Sequence, residues 1–212
     1  MNQVVVWIPK PVRHLKVAPE KHVVNLKTSK LPMKKLIFMM VCFAVMQVQA
    51  QVTRATLVAS GLTCSMCSNS INKSLKTVEY IEKVTANISK SSFDIVFKTG
   101  AAVNFDELKK KVEDAGFFVA RLSVTLSFDH QPVQNDQHVR VTGILFHFVN
   151  VKPQELNGEK EVQILDKGFV PARQFKKNQA YSSLECFKTG ITASCCQKAG
   201  EPAGKRIYHI TI

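Results

Sequence analysis

From residue 53 onward, apolar and polar positions recur with periods that identify the elements. Ala55, Leu57 and Ala59 alternate with Arg54, Thr56 and Val58, the period of two that marks a half-buried strand. Ile71, Leu75 and Val78 then fall four and three residues apart, which is one face of a helix. Val84, Ala86 and Ile88 alternate next, followed by Phe93, Ile95 and Phe97. The Ser89-Lys90-Ser91-Ser92 segment between them predicts a hairpin. Asp106-Glu107 opens a second helix with Phe105, Leu108, Val112 and Ala115 on its inner face and Gly116 as its stop. A last strand carries Phe118, Ala120, Leu122, Val124, Leu126 and Phe128 on one face. The order βαββαβ over residues 53–128 predicts an α+β, ferredoxin-like sandwich with two helices on one face of an antiparallel sheet.

The pattern then breaks. Residues 129–137 are polar, aperiodic and contain Pro132, which predicts a linker. Beyond it, Val139–Val151 and Val162–Leu165 are rich in β-branched and aromatic residues, with Asn157-Gly158 as a turn signal between them, and Ile207–Ile212 closes the chain as a strand. Residues 138–212 are therefore expected to form a small, mainly-β domain, a sandwich or partly open barrel.

Upstream, Met33 begins a run of two lysines, an apolar core from Leu36 to Met46, and Val48-Gln49-Ala50. This is the layout of a secretory signal peptide over residues 33–50, cleaved after Ala50. The apolar core falls well short of the ~20 residues needed to span a bilayer. Cys42 sits inside that core behind Val41, which does not suit a lipoprotein anchor. Residues 1–32 lack sustained periodicity and precede a complete signal, so they are expected to be a mis-assigned upstream extension. The protein is thus expected to be exported to the periplasm or the extracellular space, with no stable membrane anchor after cleavage.

Charge changes its meaning on this division. The chain has a formal net charge of +13, which invites a nucleic-acid reading. Residues 1–50 hold eight bases against one acid, so +7 of it lies in the segment expected to be discarded. Residues 53–128 and 129–212 retain +3 each. Lys109-Lys110-Lys111 lies among Glu107, Glu113 and Asp114 and is expected to be a solvated helix face. No nucleic-acid partner is expected, and the modest surplus suits docking to an acidic protein.

Candidate chemistry centres on Gly61-Leu62-Thr63-Cys64-Ser65-Met66-Cys67, between the first strand and the first helix. A helix N-terminus lowers a thiol's pKa toward the metal-binding thiolate, and two sulfurs at this spacing can grip one ion. Structural zinc requires four ligands, yet residues 51–129 hold no histidine and no third cysteine. The site is open to an incoming sulfur, and soft thiolates in low coordination number favour Cu(I) or a similar ion. Met66 could supply a third, thioether ligand. A thioredoxin-type redox pair also sits between a strand and a helix, but no proline lies between Pro32 and Pro132 to form that family's cis-proline loop. A structural disulfide would close too small a ring to stabilise much.

These residues resemble the heavy-metal-associated domain of copper chaperones, of copper-transporting ATPases and of the secreted mercury-binding protein. Cys64 and Cys67 stand in its G-M-T-C-x-x-C motif, and Asp114-Ala115-Gly116-Phe117 matches its D-A-G-[YF]. The resemblance implies that Cys64 and Cys67 are the metal ligands, that Leu62, where the family usually has Met, is buried under the loop, and that Phe117 supports it. It further implies a non-enzymatic copper chaperone that passes Cu(I) by ligand exchange to a thiol-bearing partner such as a metal transporter. Hg(II) scavenging and thiol-disulfide exchange are the alternatives.

The C-terminal region adds Cys186, Cys195 and Cys196 around a loop of small residues, and also holds His130, His138, His147 and His209. In an exported protein a disulfide from Cys186 to Cys195 or Cys196 is the default expectation. The sharper reading is a second soft-metal site made by the three cysteines with a histidine. His147 and His209 lie within apolar strands and are expected to be core or surface residues rather than ligands.

Overall fold

The computed structural model describes residues 51–62, 64–197 and 200–212. The upstream extension, the signal peptide and Thr63 of the cysteine loop lie outside the described residues. The described residues form one compact unit. Its elements are β1 (Val52–Ser60), α1 (Ser65–Leu75), β2 (Ile81–Asn87), β3 (Ser92–Phe97), α2 (Phe105–Asp114) and β4 (Phe118–Val133). They continue with β5 (Gln137–Val141), β6 (Ile144–Phe148), β7 (Gln154–Ile164), α3 (Ala172–Asn178), α4 (Glu185–Thr189), α5 (Ser194–Gln197) and β8 (Ile207–Thr211).

The βαββαβ order is the one read from the periodicity. Its four strands lie in the order β2-β3-β1-β4, all antiparallel. Leu57, Phe93, Ile95, Leu122 and Val124 from the strands meet Ile71, Leu75, Phe105, Leu108 and Val112 from the helices in one core. Asn104 caps α2 by accepting hydrogen bonds from the backbone N–H groups of Asp106 and Glu107, satisfying two donors that a helix N-terminus leaves open. Gly116 ends the element at φ +88°, a left-handed conformation that suits glycine.

Two details depart from simple alternation. Val58 pairs with Arg121 but Ala59 pairs with Val119, so Ala120 is an extra residue in β4. This bulge reverses the faces at the start of β4. Phe118, expected inside, is exposed, while Val119 is buried. Ile88, expected on the inner face of the hairpin, is exposed in a 3₁₀ turn that follows β2.

The larger departure concerns residues 129–212. The expected linker does not exist as such: β4 runs on through Asp129–Val133, and Gln137 already begins β5. The expected separate domain instead extends the same sheet, in the order β4-β7-β8-β6-β5. Strand β4 would be an edge if βαββαβ stood alone, and pairing it with β7 along nine residue pairs removes that edge. Asn157-Gly158 is accordingly no turn. Gly158 lies within β7 at φ +71°, opposite a kink in β4 where His130 takes φ 43°. The true hairpin turn is Thr142-Gly143, where φ is positive at both residues and Val141 pairs with Ile144, the geometry of a two-residue type I′ connection.

Strands β6 and β8 pair in parallel and are covered on both faces. Phe146, Phe148, Tyr208 and Ile210 face the main core, with Phe105 of α2 edge-on to Tyr208 at 5.1 Å between centroids. Leu145 and Ile207, one residue out of phase, pack with Cys186 of α4 and Cys196 of α5. The three short helices here were absent from the mainly-β expectation.

A network of charges stitches α2 to β8. The Arg206 guanidinium donates to Asp106 Oδ2 at 2.7 Å and to Asp166 Oδ1 at 3.1 Å. Tyr208 Oη donates to Asp106 Oδ2 at 3.0 Å, and Arg206 lies 4.0 Å over the Tyr208 ring.

Candidate metal centres

Gly61, at φ +84°, turns the chain out of β1. Three residues on, Cys64 is the N-cap of α1 in extended conformation, φ −152° and ψ 163°. Its carbonyl accepts from Ser68 N, and its Sγ accepts from Cys67 N at 3.4 Å. A sulfur thus occupies the place a serine or aspartate oxygen takes at most helix starts. That turn brings Cys67 Sγ to 2.8 Å from Cys64 Sγ. Cys64 is exposed and Cys67 half-buried. Leu62 and Phe117 are partly buried against the main core beneath the loop. Met66, the candidate third ligand, is 79% exposed.

The pair therefore offers two soft donors at the positive end of a helix, on the surface, where a second molecule's thiol can approach. Exchange of an ion between proteins requires that combination: an approach path, an unfilled coordination position, and donors held by backbone geometry before the ion arrives.

The second group of donors lies over β5, β6 and β8. His138 pairs with His147 across β5 and β6, and His147 pairs with His209 across β6 and β8. Three histidines separated widely in sequence thus form one row on one face of the sheet, with ring centroids 4.7 and 5.0 Å apart. Cys186 Sγ lies 4.0 Å from both His138 Nε2 and His147 Nδ1. Cys196 Sγ lies 3.7 Å from His138 Nε2. Single ligand atoms of His138, Cys186 and Cys196 fall within 4.8 Å of one another, as do those of His147, Cys186 and His209.

Cys186, Cys195 and Cys196 are free thiols in the structure rather than the expected disulfide, and the Cys186 sulfur lies between the histidines and the two neighbouring cysteines. Burial pushes the Cys186 thiol well above its ordinary value, which removes it as a nucleophile. Burial, with the neighbouring imidazoles, drives His147 down to about 3 and lowers His138, keeping both in the neutral form that metals bind. Cys195 is half-buried beside the pair, 3.6 Å from the Cys196 sulfur. His130 lies apart on the surface against Glu155. His147 and His209 are fully buried core residues, as expected, and their rings also converge on Cys186. The signal available in the sequence was their phase: each is out of step with the aromatic and aliphatic residues that fill its strand's inner face.

The family model described as heavy-metal-associated domain matches residues 56–118. Among solved structures, the chain is similar to the yeast copper transporter domain CCC2A, solved in apo and Cu(I)-loaded states. The identity is 27% over 32% of this chain and 90% of that one, with a TM-score of 0.29. A copper binding domain from HMA7, a P-type ATPase, is 31% identical over 31% of this chain and 86% of its own, with a TM-score of 0.28. Oxidized MerP from Ralstonia metallidurans is 28% identical over 34% of this chain and 94% of its own, with a TM-score of 0.30. No curated protein matches the chain.

Proposed function

We propose, from the heavy-metal-associated domain at residues 56–118, that the chain is an exported metal-transfer protein with no turnover of its own. It takes Cu(I) on Cys64 and Cys67 and releases it by ligand exchange to a thiol-bearing partner such as a metal transporter. The observation that carries this reading is the loop geometry: two sulfurs 2.8 Å apart at the exposed start of α1, one of them the helix cap itself. Copper is favoured over harder ions because both donors are thiolates and the coordination shell is left open.

Transfer proceeds by substitution at the ion. A partner thiolate adds to the two-coordinate ion and one protein sulfur leaves, taking up a proton from solvent; a second partner thiolate then displaces the other protein sulfur in the same way. Binding releases the thiol protons, so apparent affinity falls as pH falls. Metal analysis of protein recovered without oxygen from the periplasm or medium tests the reading. A soft metal bound to the wild type and missing from Cys64→Ser/Cys67→Ser supports it, with Cu or Hg identified directly. A wild-type chain that recovers no metal, and fails to hand Cu(I) to a thiol acceptor, overturns it.

A further inference from the structure

The row of histidines over β5, β6 and β8 is wired as a binding site is wired. His209 Nδ1 lies 3.0 Å from Asp166 Oδ1, and His147 Nε2 lies 3.1 Å from Asp136 Oδ1. Each carboxylate can only accept, so each of those nitrogens carries a proton, and when the ring is neutral its other nitrogen carries a lone pair. On His147 that lone pair is on Nδ1, which faces the Cys186 sulfur. On His209 it is on Nε2, which is buried with no hydrogen-bond partner among the described residues. Both rings are fully buried. A buried lone pair with no donor is costly, and a carboxylate behind a histidine is the arrangement that orients a metal-ligating imidazole.

We propose that Cys186, Cys196, His138, His147 and His209 form a second metal site for one thiophilic closed-shell cation, Zn(II) or Cu(I), separate from Cys64 and Cys67. The site holds whether or not that pair binds metal. Sulfur and nitrogen ligands of one tetrahedral ion lie about 3.6 Å apart for ordinary bond lengths. Here Cys186 lies 4.0 Å from His138 Nε2 and His147 Nδ1 and Cys196 lies 3.7 Å from His138 Nε2, with His209 in a group spanning no more than 4.8 Å, so these donors need to contract by about 1 Å or less to close the shell.

Charge balance limits the occupants. Cys186 and Cys196, each losing its proton to solvent on binding, neutralise Zn(II) when two imidazoles complete the tetrahedron. Cys186 alone, with His147 and His209, neutralises Cu(I). Either product is uncharged and suits the apolar surroundings of Leu145 and Ile207. Hard cations are disfavoured, since the five donors include no oxygen.

The test uses the full chain carrying Cys64→Ser and Cys67→Ser, stripped of metal, reduced and kept free of oxygen. It is titrated in separate arms with Zn(II), with Co(II) as a spectroscopic stand-in for zinc, and with Cu(I) against a coloured competitor. About one equivalent bound in the Zn(II) or the Cu(I) arm is expected, the arm identifying the ion, with thiolate-to-cobalt absorption where zinc is the occupant. Adding Cys186→Ala should abolish binding. Asp136→Asn keeps a residue suited to the left-handed backbone there (φ 59°) and disturbs the support of His147 together with one exposed contact to Asn135, so it should weaken binding about 10- to 100-fold in a folded protein. Circular dichroism verifies folding in each variant. A folded chain that takes up no metal in any arm, or whose affinity is unchanged by both Cys186→Ala and Asp136→Asn, overturns the proposal.

Discussion

Replacing Arg206 by Met tests whether the βαββαβ half and the C-terminal half are one cooperative unit. The guanidinium joins Asp106 on α2 to Asp166, the residue behind His209. Methionine keeps much of the apolar stem over Tyr208 but removes every hydrogen bond. Asp106 is about one-third exposed and can rehydrate, so its loss is worth under about 1 kcal/mol. Asp166, only 4% exposed, keeps the backbone N–H of His209 at 2.7 Å and its ring but loses its cation, a loss of about 2–3 kcal/mol. The sum is about 3 kcal/mol, and at ~2–4 °C per kcal/mol for a unit of this size the melting temperature should fall by about 6–12 °C.

The same variant has a pH signature. Burial alone would raise the Asp166 carboxyl, but the hydrogen bond and charge of His209, with the charge of Arg206, outweigh it and hold the group below its ordinary value. Its contribution is therefore present at neutral pH and lost as pH falls through that depressed value. Without Arg206 the folded carboxyl titrates closer to its unfolded value, so the variant should lose less stability on acidification than the wild type, and the gap between the two should narrow as Asp166 is protonated. Urea unfolding followed by far-UV circular dichroism at several pH values measures both effects. A shift under about 1 kcal/mol, or two transitions of which only one moves, would refute the reasoning.

Phe105→Ala should have a comparable reach, since the ring is fully buried and touches both Phe146 and Tyr208. A loss of about 3–5 kcal/mol is expected, checked by urea unfolding, again in a single transition. The metal-free protein should lose stability on acidification before its carboxylates titrate: His147, held neutral down to about 3 by burial and its neighbouring histidines, takes up a proton near pH 6.5 once unfolded. Stability is full above that value and declines as pH drops from there toward about 3, and a flat melting temperature between pH 7 and 4.5 would contradict it. Gly61→Val should distort the cysteine loop, because φ +84° is strained for a β-branched residue. Weaker Cu(I) binding at little change in overall stability is the expected result in a competition titration.

The βαββαβ half was legible because its strands and helices are amphipathic, so inward positions repeat with the period of the element. The Cys64 and Cys67 pair was legible because its chemistry is local, set by spacing and by the start of one helix. Residues 129–133 were misread because polarity there reflects a strand leaving the core, and Pro132 sits in a strand that sequence rules confine to edges. Nothing local says that β7 will pair with β4. The Thr142-Gly143 turn was hidden by apolar residues close on both sides, which made two strands look like one. The histidine row was illegible for a further reason. His138, His147 and His209 meet only through the register of β5, β6 and β8, and Cys186 joins them from a short helix that periodicity did not reveal.

Cu(I) stoichiometry bears most directly on the central claim that Cys64 and Cys67 bind the metal. Wild-type chain and the Cys64→Ser/Cys67→Ser variant are titrated without oxygen against the same coloured Cu(I) chelator. The account predicts that the variant binds about one equivalent less than the wild type while unfolding at the same urea concentration. Equal stoichiometry and equal affinity in the two proteins would contradict it.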